Sequence, residues 1–251
     1  MPKIIDIYNY IDSFAPFDTA MNFDNVGILV GDKNAEVKKA VIALDITNDV
    51  VSEAIEKSAK LIISHHPIIF NPLKKLSADS IVYRLAQNGI AALCVHTNLD
   101  LSADGTNTAM FNALELQKQE PLEIDGGLIG TLKAPMTASE LARFIKAKFN
   151  CNGLRFSDSG KSIMRVALVA GAGGEGIFLA KEKNAQAFIT GEIKHHEILF
   201  ARENEISIFD VGHSKCEGLI VPVLYKKLSE SFADIEFFQS EKYTDGINYI
   251  I

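Results

Sequence analysis

Six histidines stand out in this chain of 251 residues: His65, His66, His96, His195, His196 and His213. Four of them form two adjacent pairs, where random placement would give about 0.12 pairs. Imidazole titrates near neutrality and is the commonest metal ligand, so such a set points to metal binding, proton transfer or both. Carboxylates lie close by. Asp100 ends the run Val95-His96-Thr97-Asn98-Leu99-Asp100, Glu192 precedes the second pair, and Glu217 lies four residues after His213. A spacing of four puts His213 and Glu217 on one face of a helix, able to chelate one ion or bridge two. In Ile63-Ser64-His65-His66-Pro67, alternation along a strand sends neighbouring side chains apart, which suits two ions better than one. Each cluster also has a plainer reading: hydrogen-bonded surface histidines, an Asx-type turn at Asn98 and Asp100, a helix-start carboxylate at Glu192 or Glu217. His96 is open between ligand and a group behind the ligands. Four strand ends using every histidine in the chain favour the metal. Nitrogen and carboxylate donors without thiolate suggest Zn, Mn, Fe or Co.

The elements that must position these groups alternate in period. Apolar residues at helical spacing predict a helix over 4–14, and buried strands are expected at 39–44, 61–63 and 90–95, with helices at about 48–58 and 78–87 between them. The second half repeats the scheme: a capping box at Thr137-Ala138-Ser139-Glu140 opens a helix to about 148. Strands are expected at 166–169, 187–189, 206–209 and 235–238, and helices at 195–202 and 216–228. Strands separated by helices argue for an α/β chain of two domains with mostly parallel sheets. A Gly-rich stretch near Asp125 suggests domains of 1–124 and 125–251, the C-terminal segment being able to pack back on the first. Each histidine cluster follows a strand, the edge at which such sheets bind ligands. Gly171-Ala172-Gly173-Gly174-Glu175-Gly176 matches a dinucleotide fingerprint, but the acid that follows is Glu192, inside a histidine-rich segment. A tight strand-to-helix turn is the simpler reading, and no nucleotide cofactor is expected.

Composition narrows the classes. Hydrophobic residues make up 47% and charged residues 23%, as in an ordinary globular chain. A net charge of −7 disfavours nucleic acid and anionic membranes as partners. No apolar run approaches the ~20 residues that span a bilayer. The charged start Met1-Pro2-Lys3 gives no sign of a secretory leader. Three scattered cysteines, Cys94, Cys151 and Cys216, do not form a disulfide framework, so a cytoplasmic protein with reduced thiols is expected.

The ordered set His65-His66-Pro67, His96 to Asp100, Gly191-Glu192 with His195-His196, and Gly212-His213 with Glu217 resembles the NIF-three-like family, also labelled GTP cyclohydrolase I type two homologues. Asp24-Asn25-Val26-Gly27 fits that family's N-terminal motif, with Phe23 where Trp is usual. Nothing is inserted near residues 126–130, as in the family's short form. The resemblance implies a dinuclear metal site in the cleft between two α/β domains and a homohexameric ring. It also implies His65, His66, Asp100, His213 and Glu217 as the metal ligands. His96, His195 and His196 then become catalytic or substrate-contacting groups. The expectation is a dinuclear metal-dependent hydrolase using a metal-bound hydroxide, with two divalent or ferric ions per chain (Zn, Fe, Mn or Co). Its substrate would be a small molecule, a nucleotide being one candidate for cyclohydrolase chemistry, and phosphoesters or amides others. The alternative is a non-catalytic metal-binding scaffold or regulatory interaction protein.

Overall fold

A computed structural model describes residues 1–250. Its elements begin with α1 (Ile4–Asp12), β1 (Gly27–Val30), β2 (Lys39–Ala43), α2 (Asn48–Glu56), β3 (Leu61–Ser64), α3 (Ile81–Gln87), β4 (Ala91–Cys94), α4 (Thr97–Asp100) and α5 (Thr106–Ala113). They continue with β5 (Gln117–Pro121), β6 (Leu128–Met136), α6 (Ala138–Lys148), β7 (Arg155–Ser157), β8 (Ile163–Val169), α7 (Gly176–Glu182) and β9 (Ala187–Thr190). Then come α8 (His195–Glu203), β10 (Ser207–Asp210), α9 (His213–Glu217), α10 (Ile220–Ser231) and β11 (Glu236–Gln239). Among the described residues, no helix is long and apolar enough to cross a membrane.

The fold is α/β, with two mixed sheets whose centres are parallel. The chain forms two compact units, one of Met1–Ala103 with Ile220–Asp245, the other of Asp104–Leu219 with the residues from Gly246 onward. The residue-125 boundary suggested by the Gly-rich stretch falls inside the second unit. Packing accounts for the placement: Met110 and Phe111 of α5 share a core with Leu168 of β8, whereas Ile220, Leu224 and Leu228 of α10 share one with Ile4, Ile7 and Ile11 of α1.

In the first unit the strand order is β1-β4-β3-β2-β11, parallel except for β1. Strand alternation divides the burial. Ala40, Ile42, Leu61, Ile63 and Leu93 face α1 and α10, while Val41, Ala43, Ile62 and Ala92 face Val50, Val51 and Ala54 of α2 and Leu85 of α3. Helices on both faces are why these strands read as continuous apolar runs. Each fully buried Ile or Leu contributes about 1.5–3 kcal/mol. Thr47 caps α2 by accepting from Val50 N at 3.2 Å.

In the second unit the order is β5-β6-β8-β9-β10-β7. The central β8, β9 and β10 are parallel, and β5, β6 and β7 join antiparallel. Leu141 and Ile145 of α6 pack on Val166 and Leu168, while Ile177 of α7 and Ala201 of α8 pack on Ala167 and Phe188. The capping box closes in both directions, with Thr137 N donating to Glu140 Oε2 at 2.8 Å and Glu140 N to Thr137 Oγ1 at 3.3 Å. The helix expected at 216–228 is instead two, α9 and α10, separated at Gly218-Leu219. That break leaves α9 in the second unit and α10 in the first.

Candidate metal centre

In the first unit, Ser64 at the end of β3 pairs in register with Cys94 at the end of β4. The residues that follow, His65-His66 and Val95-His96, therefore leave the sheet side by side at its carboxyl edge. The three rings form a near-equilateral triangle, with centroids 5.0 Å apart for His65–His66, 5.2 Å for His65–His96 and 5.4 Å for His66–His96. Each offers a ligand atom within 4.8 Å of the others.

What fixes the rings is the partner of each Nδ1. His65 Nδ1 donates to Val95 O at 2.9 Å, His66 Nδ1 to Asp45 Oδ1 at 2.7 Å, and His96 Nδ1 to Asp24 Oδ1 at 2.9 Å. A carbonyl or carboxylate can only accept, so the proton of each neutral ring sits on Nδ1 and the lone pair on Nε2. Metal-binding histidines are held in this way. Asp100 Oδ1, at the end of α4, lies 3.5 Å from His65 Nε2. His65 is fully buried, while His66 and His96 keep partial exposure.

The supporting carboxylates are themselves tied down. Asp24 Oδ2 accepts from Thr97 N at 3.0 Å and Thr97 Oγ1 at 2.5 Å. Burial works to raise the Asp24 pKa, but the bonds from His96 and Thr97 outweigh it and hold the carboxyl well below the ordinary range. Asp45 shows the same balance: burial raises, the His66 bond prevails, and the net direction is downward. Cys94 Sγ donates to His65 O at 3.1 Å, and burial pushes its thiol far above the ordinary value, so it stays protonated.

In the second unit, β10 ends at Asp210 and α9 opens at His213. His213 Nδ1 meets Glu192 Oε1 at 2.6 Å, and His213 Nε2 meets Glu217 Oε2 at 2.8 Å. The four-residue spacing thus brings imidazole and carboxylate together on one helix turn. Gly171, at φ +62°, leaves room for them, since a Cβ there would lie 2.2 Å from Glu217 Oε1. Cys216 is buried behind the pair and donates to His213 O at 3.0 Å. Glu192 lies before α8 rather than in its first turn, and the acid at that helix start is Glu197. His195 and His196 project from the first turn of α8 into solvent and join neither the triangle nor the His213–Glu217 pair. Gly171 to Gly176 form the expected turn between β8 and α7.

Imidazoles oriented through Nδ1 beside carboxylates make a nitrogen–oxygen donor set that fits Zn, Mn, Fe or Co. Asp24 and Asp45, which orient two of the rings, were missed as site residues in the sequence. They lie 72 and 21 residues from their histidines, beyond any spacing rule. The motif Asp24-Asn25-Val26-Gly27 was the one available signal for the first.

A sequence profile of the family described as Duf34/NIF3 (NGG1p interacting factor 3) matches residues 2–246. A protein of Clostridium acetobutylicum named GTP cyclohydrolase 1 type 2 homolog is 36% identical, covering 90% of this chain and 89% of its own. A Staphylococcus aureus hypothetical protein of known structure is 30% identical, with 99% of each chain covered and a TM-score of 0.91. A Bacillus cereus protein related to NIF3 shares the fold at a TM-score of 0.94 and 23% identity, covering 100% of this chain and 99% of its own.

Proposed function

The chain belongs to the Duf34/NIF3 family, and on that footing we propose that it is a dinuclear metal-dependent hydrolase. His65, His66, Asp100, His213 and Glu217 are the residues that would hold two ions. The observation that carries the reading is the imidazole triangle with every Nδ1 bonded to an acceptor, which suits the Nε2 atoms of His65 and His66 to ligation and that of His96 to proton transfer. Bound there, divalent ions would supply Lewis acidity, acidifying water and polarising an electrophile.

The chain's own groups do the rest. Asp24 keeps the His96 proton on Nδ1, so His96 Nε2 is the atom that takes up a proton and returns it to the leaving group. His195 and His196, exposed on α8, contact the substrate. Glu192 fixes the His213 ring through Nδ1. The substrate is a small molecule, and the name carried by the curated relatives makes a purine nucleotide the first to test. The active form is a cytoplasmic homohexameric ring.

Metal analysis of the purified protein is the test, combined with turnover of nucleotides, phosphoesters and amides. Two equivalents per chain are expected, falling in His65→Ala and Glu217→Ala while the fold persists. Unchanged loading in both variants, or undiminished turnover in Glu217→Ala, would refute the assignment. The family's description as an interacting factor favours one second reading, a metal-binding scaffold. Full metal with no turnover of any substrate class would support that instead.

A further inference from the structure

Asp45, the acceptor that orients His66, is not fixed by packing alone, since 37% of its side chain remains exposed. Asp24, which does the same for His96, has no exposed side-chain surface and takes two further bonds from Thr97. A carboxylate with one partner and an open face can turn about its Cβ–Cγ bond, and the ring it holds turns with it. A second donor removes that freedom, and the C-terminal segment brings one.

β11 lies parallel beside β2 with Gln239 opposite Ile42, so the residues after β11 pass the sheet edge that carries Asp45. Ser240 N donates to Ile42 O at 2.8 Å. Glu53 of α2, only 2% exposed and with no part in the proposed chemistry, fastens the turn that follows. Its Oε2 accepts from Ser240 Oγ at 2.6 Å and its Oε1 from Glu241 N at 3.1 Å. Lys57 Nζ, 3.8 Å from Oε1, balances the buried charge. Ser240 Oγ in turn accepts from Lys242 N at 3.3 Å and Tyr243 N at 3.2 Å. The Tyr243 ring packs against the cluster that includes Val41, Ala43 and Val51. Its hydroxyl donates to the Asp45 carboxylate, which as an ionised acid only accepts. We propose that Tyr243 is a positioning residue of the metal centre: bonded to Asp45, it fixes the acceptor that keeps the His66 proton on Nδ1 and His66 Nε2 available as a ligand atom. Every group in this relay belongs to the first unit. Metal binding by His66 rests on the proposed hydrolase function; the orientation of its ring does not.

¹⁵N spectra of the His66 ring, recorded on the full chain before metal is added and at a pH where imidazole is neutral, read the orientation. The unaltered chain should show the proton on Nδ1. In Tyr243→Phe, which keeps the ring and removes the hydroxyl, the form protonated on Nε2 should grow. Subsequent titration with Zn²⁺ should show binding weakened about tenfold, the low end of the range for groups that orient ligands. Val51→Ala, a truncation in the same cluster, should lower Tm without moving the His66 signal, as Tyr243→Phe would if the ring served packing alone. Should Tyr243→Phe fail to fold, Ser240→Ala decides, since it unfastens the turn, leaves the phenol intact and should move the same signal. An unchanged His66 spectrum in the folded variant overturns the positioning role. A shifted spectrum with undiminished Zn²⁺ binding upholds it and instead faults His66 as a ligand, and with it the proposed metal site.

Discussion

Replacing Asp24 by Asn tests how the imidazole triangle is held. The carboxylate is an acceptor for three donors: His96 Nδ1 at 2.9 Å, Thr97 N at 3.0 Å and Thr97 Oγ1 at 2.5 Å. The amide keeps the size, and its oxygen still accepts from Thr97. Its NH₂ then faces His96 Nδ1, two donors meet, and the His96 proton must move to Nε2. Loss of one charge-assisted bond costs about 1.5–3 kcal/mol. For a chain of this size about 2 kcal/mol lowers Tm by roughly 4–8 °C. The tautomer change removes the lone pair from His96 Nε2, the atom proposed to take up the proton, and activity should fall about 10–100-fold, as when other orienting groups are lost. Thermal unfolding gives the first number, turnover of the metal-loaded protein the second, and ¹⁵N shifts of the His96 ring report the tautomer directly. If Asp24→Asn keeps the proton on Nδ1 and turns over as the unaltered chain does, the reasoning about the triangle is wrong.

Other outcomes follow from the same geometry. Gly171→Ala should reduce metal content much as Glu217→Ala does, because its Cβ would sit 2.2 Å from Glu217 Oε1; metal analysis of the folded variant checks this. Ile42→Ala, in the fully buried centre of β2, should destabilise by about 2–5 kcal/mol, read from urea unfolding. Acid should weaken the fold through Asp24 and Asp45, whose folded pKa values lie below ordinary ones. For a depressed carboxyl the added stability is complete above the unfolded value of ~3.9 and is lost as pH drops toward the folded one. Urea midpoints between pH 6 and 3 should therefore fall less steeply in Asp24→Asn.

Legibility of the fold followed burial. Strands enclosed on both faces, such as β2, β3 and β9, announced themselves as apolar runs, and their observed ends differ from the expected ones by a residue. β5, Gln117–Pro121, is exposed throughout and offers no alternation to read. α5 escaped because Thr106 and Asn107 are buried polar residues where a helix usually shows apolar ones. Asn107 has a reason to be there, since its Oδ1 accepts from Ala170 N at 2.9 Å and pins the glycine turn. The candidate site was legible where local order set it: the His65-His66 pair at a strand end, and His213 with Glu217 at a helix period. Asp24 and Asp45 act through tertiary contacts, which no window of sequence contains. Glycine near residue 125 marks a turn before β6, whereas the compact units follow from which core Phe111 and Leu224 join.

The discontinuity of the first unit bears on how the chain is born. β2 receives β11 as its neighbour only after Asp104–Leu219 of the second unit has been made. At translation rates of about 5–20 residues per second, that delay is on the order of 10 s. During it, a nascent chain ending anywhere before β11 carries an apolar strand with an open hydrogen-bonding edge, the template for unwanted pairing with other chains. Truncations that remove the chain from Ile220 onward, though they spare every histidine, should thus yield material that associates rather than a smaller stable unit.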